Sequence, residues 1–154
     1  MRLKKKAILF FVLVTIAIVA GSLAIYVYFF LPHTLSSAET AGKLSSLYSR
    51  ARGILDLMSD DMKLLANSTI SVTTFSQRMD TKKSDMTVLR VELLELKNVA
   101  YPTYALSINL LDMGLQKFIN ALGYAHDLNF TMTTSSLTDG TSYIAQSKNA
   151  LPPV

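Results

Sequence analysis

The chain contains no cysteine and no tryptophan, only two histidines, and just four prolines and six glycines in 154 residues. Without cysteine there are no disulfide staples, no cysteine-zinc sites and no thiol catalysis. His33 and His126 are the only imidazoles. Glycine-rich phosphate loops, nucleophile elbows and zinc-ligand spacings are missing as well, so the sequence predicts neither an enzyme nor a cofactor. Charge is missing from one long stretch, Ala7 to Leu31, whose sequence is AILFFVLVTIAIVAGSLAIYVYFFL.

That stretch follows directly on Arg2, Lys4, Lys5 and Lys6. At ~1.5 Å rise per residue it is long enough to cross a hydrocarbon core ~30 Å thick. The formal net charge of +4 equals the charge of those four residues, because beyond Leu31 eleven Lys and Arg balance eleven Asp and Glu. The basic isoelectric point is therefore a topology signal. It is no argument for nucleic-acid binding, which needs a basic patch against phosphates. Basic residues stay on the cytoplasmic side of a span. The expectation is a single-pass cell-membrane protein: a cytoplasmic tail over 1–6, a signal anchor over 7–31 and an extracytoplasmic domain over 32–154. Arg2, Lys4, Lys5 and Lys6 would mark the inner interface. Tyr26 and Tyr28, with Phe29 and Phe30, would form an aromatic belt at the outer one.

Two other fates of this segment change the mature protein. Ser22 and Ala24 form a signal-peptidase-type site, but the apolar run continues through Ile25 to Leu31, past the usual length of a removed h-region. Lys6-Ala7-Ile8-Leu9 resembles the processing site of archaeal type IV pilins. That resemblance implies cleavage after Ala7 and a filament subunit with the apolar helix in the fibre core. The Glu that many bacterial pilins carry five residues into the mature chain falls at Val12 here.

Beyond Pro32 the periodicity is helical throughout. Ala41, Leu44, Tyr48, Ala51, Leu55, Met58, Met62 and Leu65 alternate by three and four residues, which places them on one helical stripe. Val72, Phe75, Met79, Lys82, Met86, Leu89, Leu93 and Leu96 keep the rhythm apart from Lys82. Tyr104, Ile108, Leu111, Leu115, Phe118, Leu122 and Ala125 repeat it, and Leu137, Ile144, Lys148 and Leu151 form a weaker fourth series. Asn67-Ser68-Thr69, the residues before Pro102, and the Thr- and Ser-rich Asn129 to Ser136 read as breaks. The fold class is all-α. Four helices near 35–66, 72–98, 102–128 and 137–150 should form an antiparallel bundle. The alternative is a long two-helix hairpin turning at Asp80 to Asp85, with Lys82 and Ser84 as the turn signal and a short C-terminal helix.

Candidate sites are few. Asn67-Ser68-Thr69 and Asn129-Phe130-Thr131 are sequons, making Asn67 and Asn129 candidate N-glycosylation sites at the distal end of the four-helix arrangement. His126 precedes Asp127, but neighbours on a helix point in different directions, so no acid-base pair is expected. Glu92 and Glu95 share a face without the Glu-x-x-His partners of a carboxylate metal site. Asp56, Asp60 and Asp61 read as a solvated face paired with Arg50, Arg52 and Lys63.

A basic, apolar first span leading into an amphipathic helix resembles the periplasmic four-helix modules of chemoreceptors. That implies a receptor-like ligand-binding ectodomain, although neither a second span nor a cytoplasmic output domain follows Leu151-Pro152-Pro153-Val154. The expected partners are the lipid bilayer and either another protein or a second copy, through helical contacts.

Overall fold

The computed structural model describes residues 34–152, within a compact unit that begins at Thr34. The proposed span, its alternatives, and Arg2, Lys4, Lys5, Lys6, Tyr26, Tyr28 and His33 lie outside the described residues. Among the described residues there is no strand, and no helix is long and apolar enough to cross a membrane.

Four helices run in order: α1 (Ser37–Ala66), α2 (Val72–Val99), α3 (Ala105–His126) and α4 (Phe130–Asn149), with a 3-10 turn over Pro102–Tyr104 leading into α3. Polar caps set most of the starts. Ser36 and Glu39 form a reciprocal capping box: the Glu39 amide donates to Ser36 Oγ at 3.3 Å, and the Glu39 carboxylate accepts from the Ser36 amide at 2.9 Å. The Ser36 hydroxyl, which donates to the Glu39 carboxylate at 2.7 Å, and the Ser36 amide hold that carboxyl below its ordinary pKa. Ser71 caps α2 by accepting from the Thr74 amide at 3.1 Å, and Asn129 caps α4 by accepting from Met132 at 3.2 Å.

The hairpin alternative is overturned. The chain turns at Asn67 to Ser71, whereas Asp80 to Asp85 is continuous helix inside α2. Lys82 interrupts the apolar stripe for a different reason. Its ammonium reaches across to the buried Asp61 of α1, whose other oxygen accepts from Arg78 Nη1 at 2.7 Å. Asp61 is thus a buried cross-link and not part of a solvated acidic face.

The fourth helix starts seven residues earlier than its periodicity indicated. Asn129 to Ser136 forms its cap and first turns, because the threonine hydroxyls bond back to the helix instead of competing with it. Thr133 Oγ1 donates to the Asn129 carbonyl, Thr134 to Phe130 and Thr138 to Thr134, at 2.8, 2.9 and 2.9 Å.

Both tight turns stop their helix with a non-glycine residue at positive φ: Ser68 at 54° and Leu128 at 58°. Each completes a paired C-terminal hydrogen-bond motif. Thr69 donates to Leu64 and Ser68 to Leu65, while Asn129 donates to Tyr124 and Leu128 to Ala125.

The apolar stripes of α1, α2 and α3 meet in one core. All seven stripe residues of α3, from Tyr104 to Ala125, are buried, together with Phe75, Met79, Met86, Leu89, Leu93 and Leu96 of α2. α4 joins by different chemistry. Its buried residues are Thr133, Ser136, Gly140 and Ser147, of which Gly140 lies against Gly114 and Ser147 against Ser107 of α3. The backbones approach closely enough that a Cβ on Gly114 would sit 3.2 Å from the Gly140 carbonyl oxygen. Small residues draw α4 onto α3, and Leu137 and Ile144 are its larger apolar residues packed against the core. Helix packing therefore runs α1 on α2, α2 on α3 and α3 on α4, while α1 and α4 meet mainly through Tyr48 with Ser147 and Lys148.

Candidate functional site

The antiparallel order gives the unit two ends, here called base and tip. The base gathers the start of α1 and the turn before α3: the Leu35 amide donates to the Val99 carbonyl, and Tyr104 Oη pairs with Ser37 Oγ at 3.1 Å. Asn67 and Asn129 lie exposed at the tip. Their shared location follows from contacts between the start of α2 and the α3–α4 turn. The Phe75 and Phe130 rings are 6.4 Å apart, and Ser76 Oγ donates to the His126 carbonyl at 2.9 Å.

His126 also lies at the tip, and there the expectation is corrected. Its Nδ1 is 2.8 Å from Asp127 Oδ1, and its Nε2 is 3.5 Å from Asp80 Oδ2. Asp127 is the residue at which α3 ends, so its side chain is free of the helical direction that would carry it away from its neighbour. The imidazole thus bridges two carboxylates. The only hydroxyl tied to it, Ser76, bonds the backbone carbonyl and not the ring, so the cluster lacks a nucleophile held for attack. Among the described residues no group of His, Asp and Glu is arranged to hold a metal ion.

The buried hydroxyls are equally unsuited to catalysis. Ser107 Oγ donates to the Ser147 carbonyl at 2.9 Å, Tyr48 Oη lies 3.2 Å from Ser107 Oγ, and both serines are fully buried. His126 is at the opposite end, so this network serves as the polar link from α1 through α3 to α4.

On the outer faces, Arg50 grips Glu92 with two hydrogen bonds across α1 and α2, which raises the guanidinium pKa and lowers the carboxyl pKa. Glu95 lines a hollow between α1 and α2 together with Arg50 and Glu92. Lys117 pairs with Asp139 at 2.7 Å and is raised by that hydrogen bond. Asp60 pairs with Lys63 at 2.9 Å, and Asp56 lies 3.9 Å from Arg52.

The concave feature with a functional shape is the seam left between α1 and α4. It holds two hollows. The one nearer the base, about 460 Å³, is lined by Ala41, Leu44, Tyr48, Tyr104, Leu151 and Pro152, with Ser45 and Ser49 on its wall. The one nearer the tip, about 240 Å³, is lined by Ala51, Leu55, Phe118, Thr141 and Ile144. Tyr48, Arg52 and Lys148 border both. The Lys148 ammonium sits 5.4 Å from the centre of the Tyr48 ring, a cation-π contact that forms a bar between the hollows. An apolar floor with a few polar groups at the rim suits binding by shape.

No protein-family model, curated protein or solved structure matches the chain.

Periodicity alone did not reveal the seam, since it arises where two helices fail to pack. The available signal was the fourth series itself, where Lys148 and the run of Thr, Ser and Gly stand in place of large apolar residues.

Proposed function

We propose that this chain is a membrane-tethered, non-enzymatic helical module that makes protein-protein contacts outside the membrane, with its N-terminus cytoplasmic. The uncharged Ala7 to Leu31 behind a basic cluster supports the tether and its orientation. The observation that carries the contact role is the seam: a packed helical unit leaves one side of its core bordered by two hollows and, among the described residues, covered by no further helix. Exposed concave apolar surface of this kind marks interaction sites.

The test has two parts. Alkaline carbonate washing should leave the full-length chain in the membrane pellet; release into the wash overturns the tether. Affinity purification from detergent extract should then bring down the chain in complex, and Arg52→Glu with Ser45→Arg should reduce that complex. Recovery of a lone monomer from mild detergent overturns the contact role.

A receptor-like reading stands second, because both hollows approach or fall within the size range of small-molecule sites. Filament assembly after cleavage behind Ala7 predicts a mature N-terminus at Ile8, which N-terminal sequencing reads directly.

A further inference from the structure

We infer that the seam between α1 and α4 receives a second copy of this chain, which inserts Leu106 and Met113 from the outer face of its α3. The inference rests on the membrane-tethered reading, because it needs neighbouring copies to stand in one orientation.

The first support is spacing. On α1 the basal hollow is bordered by residues from Ala41 to Arg52, and the other by residues from Tyr48 to Asp56. The centres are offset by about six residues, or roughly 9 Å at the α-helical rise. A helix filling both must present two apolar side chains about two turns apart. Leu106 and Met113 are seven residues apart on α3, roughly 10.5 Å, and they are 62% and 45% exposed. Among the described residues they are the one exposed pair of large apolar side chains at that spacing within a helix.

The second support is height. Tyr104, at the base of α3, lines the basal hollow beside Ala41 and Leu44, and Phe118 lines the other beside Ala51 and Leu55. α1 and α3 therefore climb side by side. Leu106 stands one half-turn above Tyr104, and Met113 little more than one turn below Phe118. Copies standing side by side at equal height along their helix axes bring this pair opposite the seam within about one helical turn.

The third support is charge. The described unit follows a stretch that holds all the excess charge, and the remainder of the chain is neutral, so copies meet without net repulsion. Around the pair, Asn109 and Gln116 are uncharged, Asp112 is engaged by Arg90 and Lys117 by Asp139. A contact between two different surfaces is heterologous, and in a membrane plane it produces a ring or a row of copies.

The chain's lack of cysteine makes the test clean. Two differently tagged full-length chains, one with Thr141→Cys and one with Met113→Cys, are coexpressed, and their membranes are oxidised. The expected result is a mixed disulfide dimer, little dimer from either variant alone, and a ladder from the double variant. Adding Leu106→Asp to the Met113→Cys chain should lower the yield about tenfold, the loss that follows from ~1.4 kcal/mol of contact. Circular dichroism of that variant should retain the helical signal, as expected for a substitution on an exposed face.

Mixed cross-linking no stronger than that of Met113→Cys with Thr87→Cys, an exposed position on α2, overturns the inference. So does equal self-cross-linking of the single variants. If the chain remains in carbonate-washed membranes while cross-linking fails, only the self-contact is lost. If it leaves the membrane, the tethered reading fails first.

Discussion

Leu128 holds a backbone conformation that glycine adopts without a steric penalty, at φ 58° on an exposed turn. A left-handed non-glycine residue costs on the order of 1 kcal/mol. Leu128→Gly should therefore stabilise the unit by up to about 1 kcal/mol and raise the thermal midpoint by a few degrees. An unchanged or lower midpoint would show that the leucine's contacts outweigh the strain. Asp61 makes the opposite case. Burial alone would raise its carboxyl pKa, but hydrogen bonds and charge from Lys82 and Arg78 prevail and hold it below the ordinary value. A depressed folded pKa contributes stability in full above the unfolded value and loses it as pH falls through the folded one. Wild type should thus weaken below about pH 4, and Asp61→Asn should weaken less across that window. Glu92 adds less to this slope, because it and Arg50 are near half exposed and screened by water. Asp61→Ala strands the Lys82 ammonium and should cost about 3–5 kcal/mol in denaturant unfolding, whereas Asp61→Leu with Lys82→Met should recover most of it.

Among the elements, α3 was the most legible in sequence and α4 the least. Tyr104 to Ala125 carries large apolar residues at helical spacing, and burial follows that spacing directly. α4 is held by small and hydroxylated residues, whose preference depends on a neighbour close enough to use them. The threonine run at its start reads as loop until its hydroxyls are seen bonded to the preceding carbonyls. The capping box of Ser36 and Glu39 was readable as a pattern. The Lys82–Asp61 pairing was not, since it joins two helices. The close α3–α4 approach yields a paired expectation. A Cβ at Gly140 would lie 2.4 Å from the Phe118 ring, which is itself buried in the core. Gly140→Ala should therefore destabilise by about 1–3 kcal/mol despite its better helix propensity. Gly53, where a Cβ would meet nothing within 4 Å, should gain about 1 kcal/mol from the same substitution. Thermal unfolding of the two variants in opposite directions checks the pair.

At the scale of the whole molecule, packing in a row of helices makes cohesion uneven. α3 touches every other helix, whereas α4 rests mainly on α3 and reaches α1 through the Tyr48–Ser147 hydroxyl contact. Amide hydrogen exchange should be slowest along Ile108 to Leu122 and clearly faster across α4, because local opening follows the density of buried contacts. Equal protection in both helices would mean that α4 opens only with the whole unit. The candidate site belongs to this scale as well. Each residue bordering the seam was visible in the sequence, but a gap between helices is a property of the assembled unit and of no single stripe.

The start of α1 and the residues after α4 both lie at the base, close to Tyr104. A mechanical load applied between these two positions would meet the helices from one side and open their contacts in succession, like a zipper, instead of shearing them all at once. The contacts of Leu35 with Val99 and of Ser37 with Tyr104, and then that of Tyr48 with Ser147, are the first rungs such a pull would reach, so the unit should yield at low force with the tip still folded.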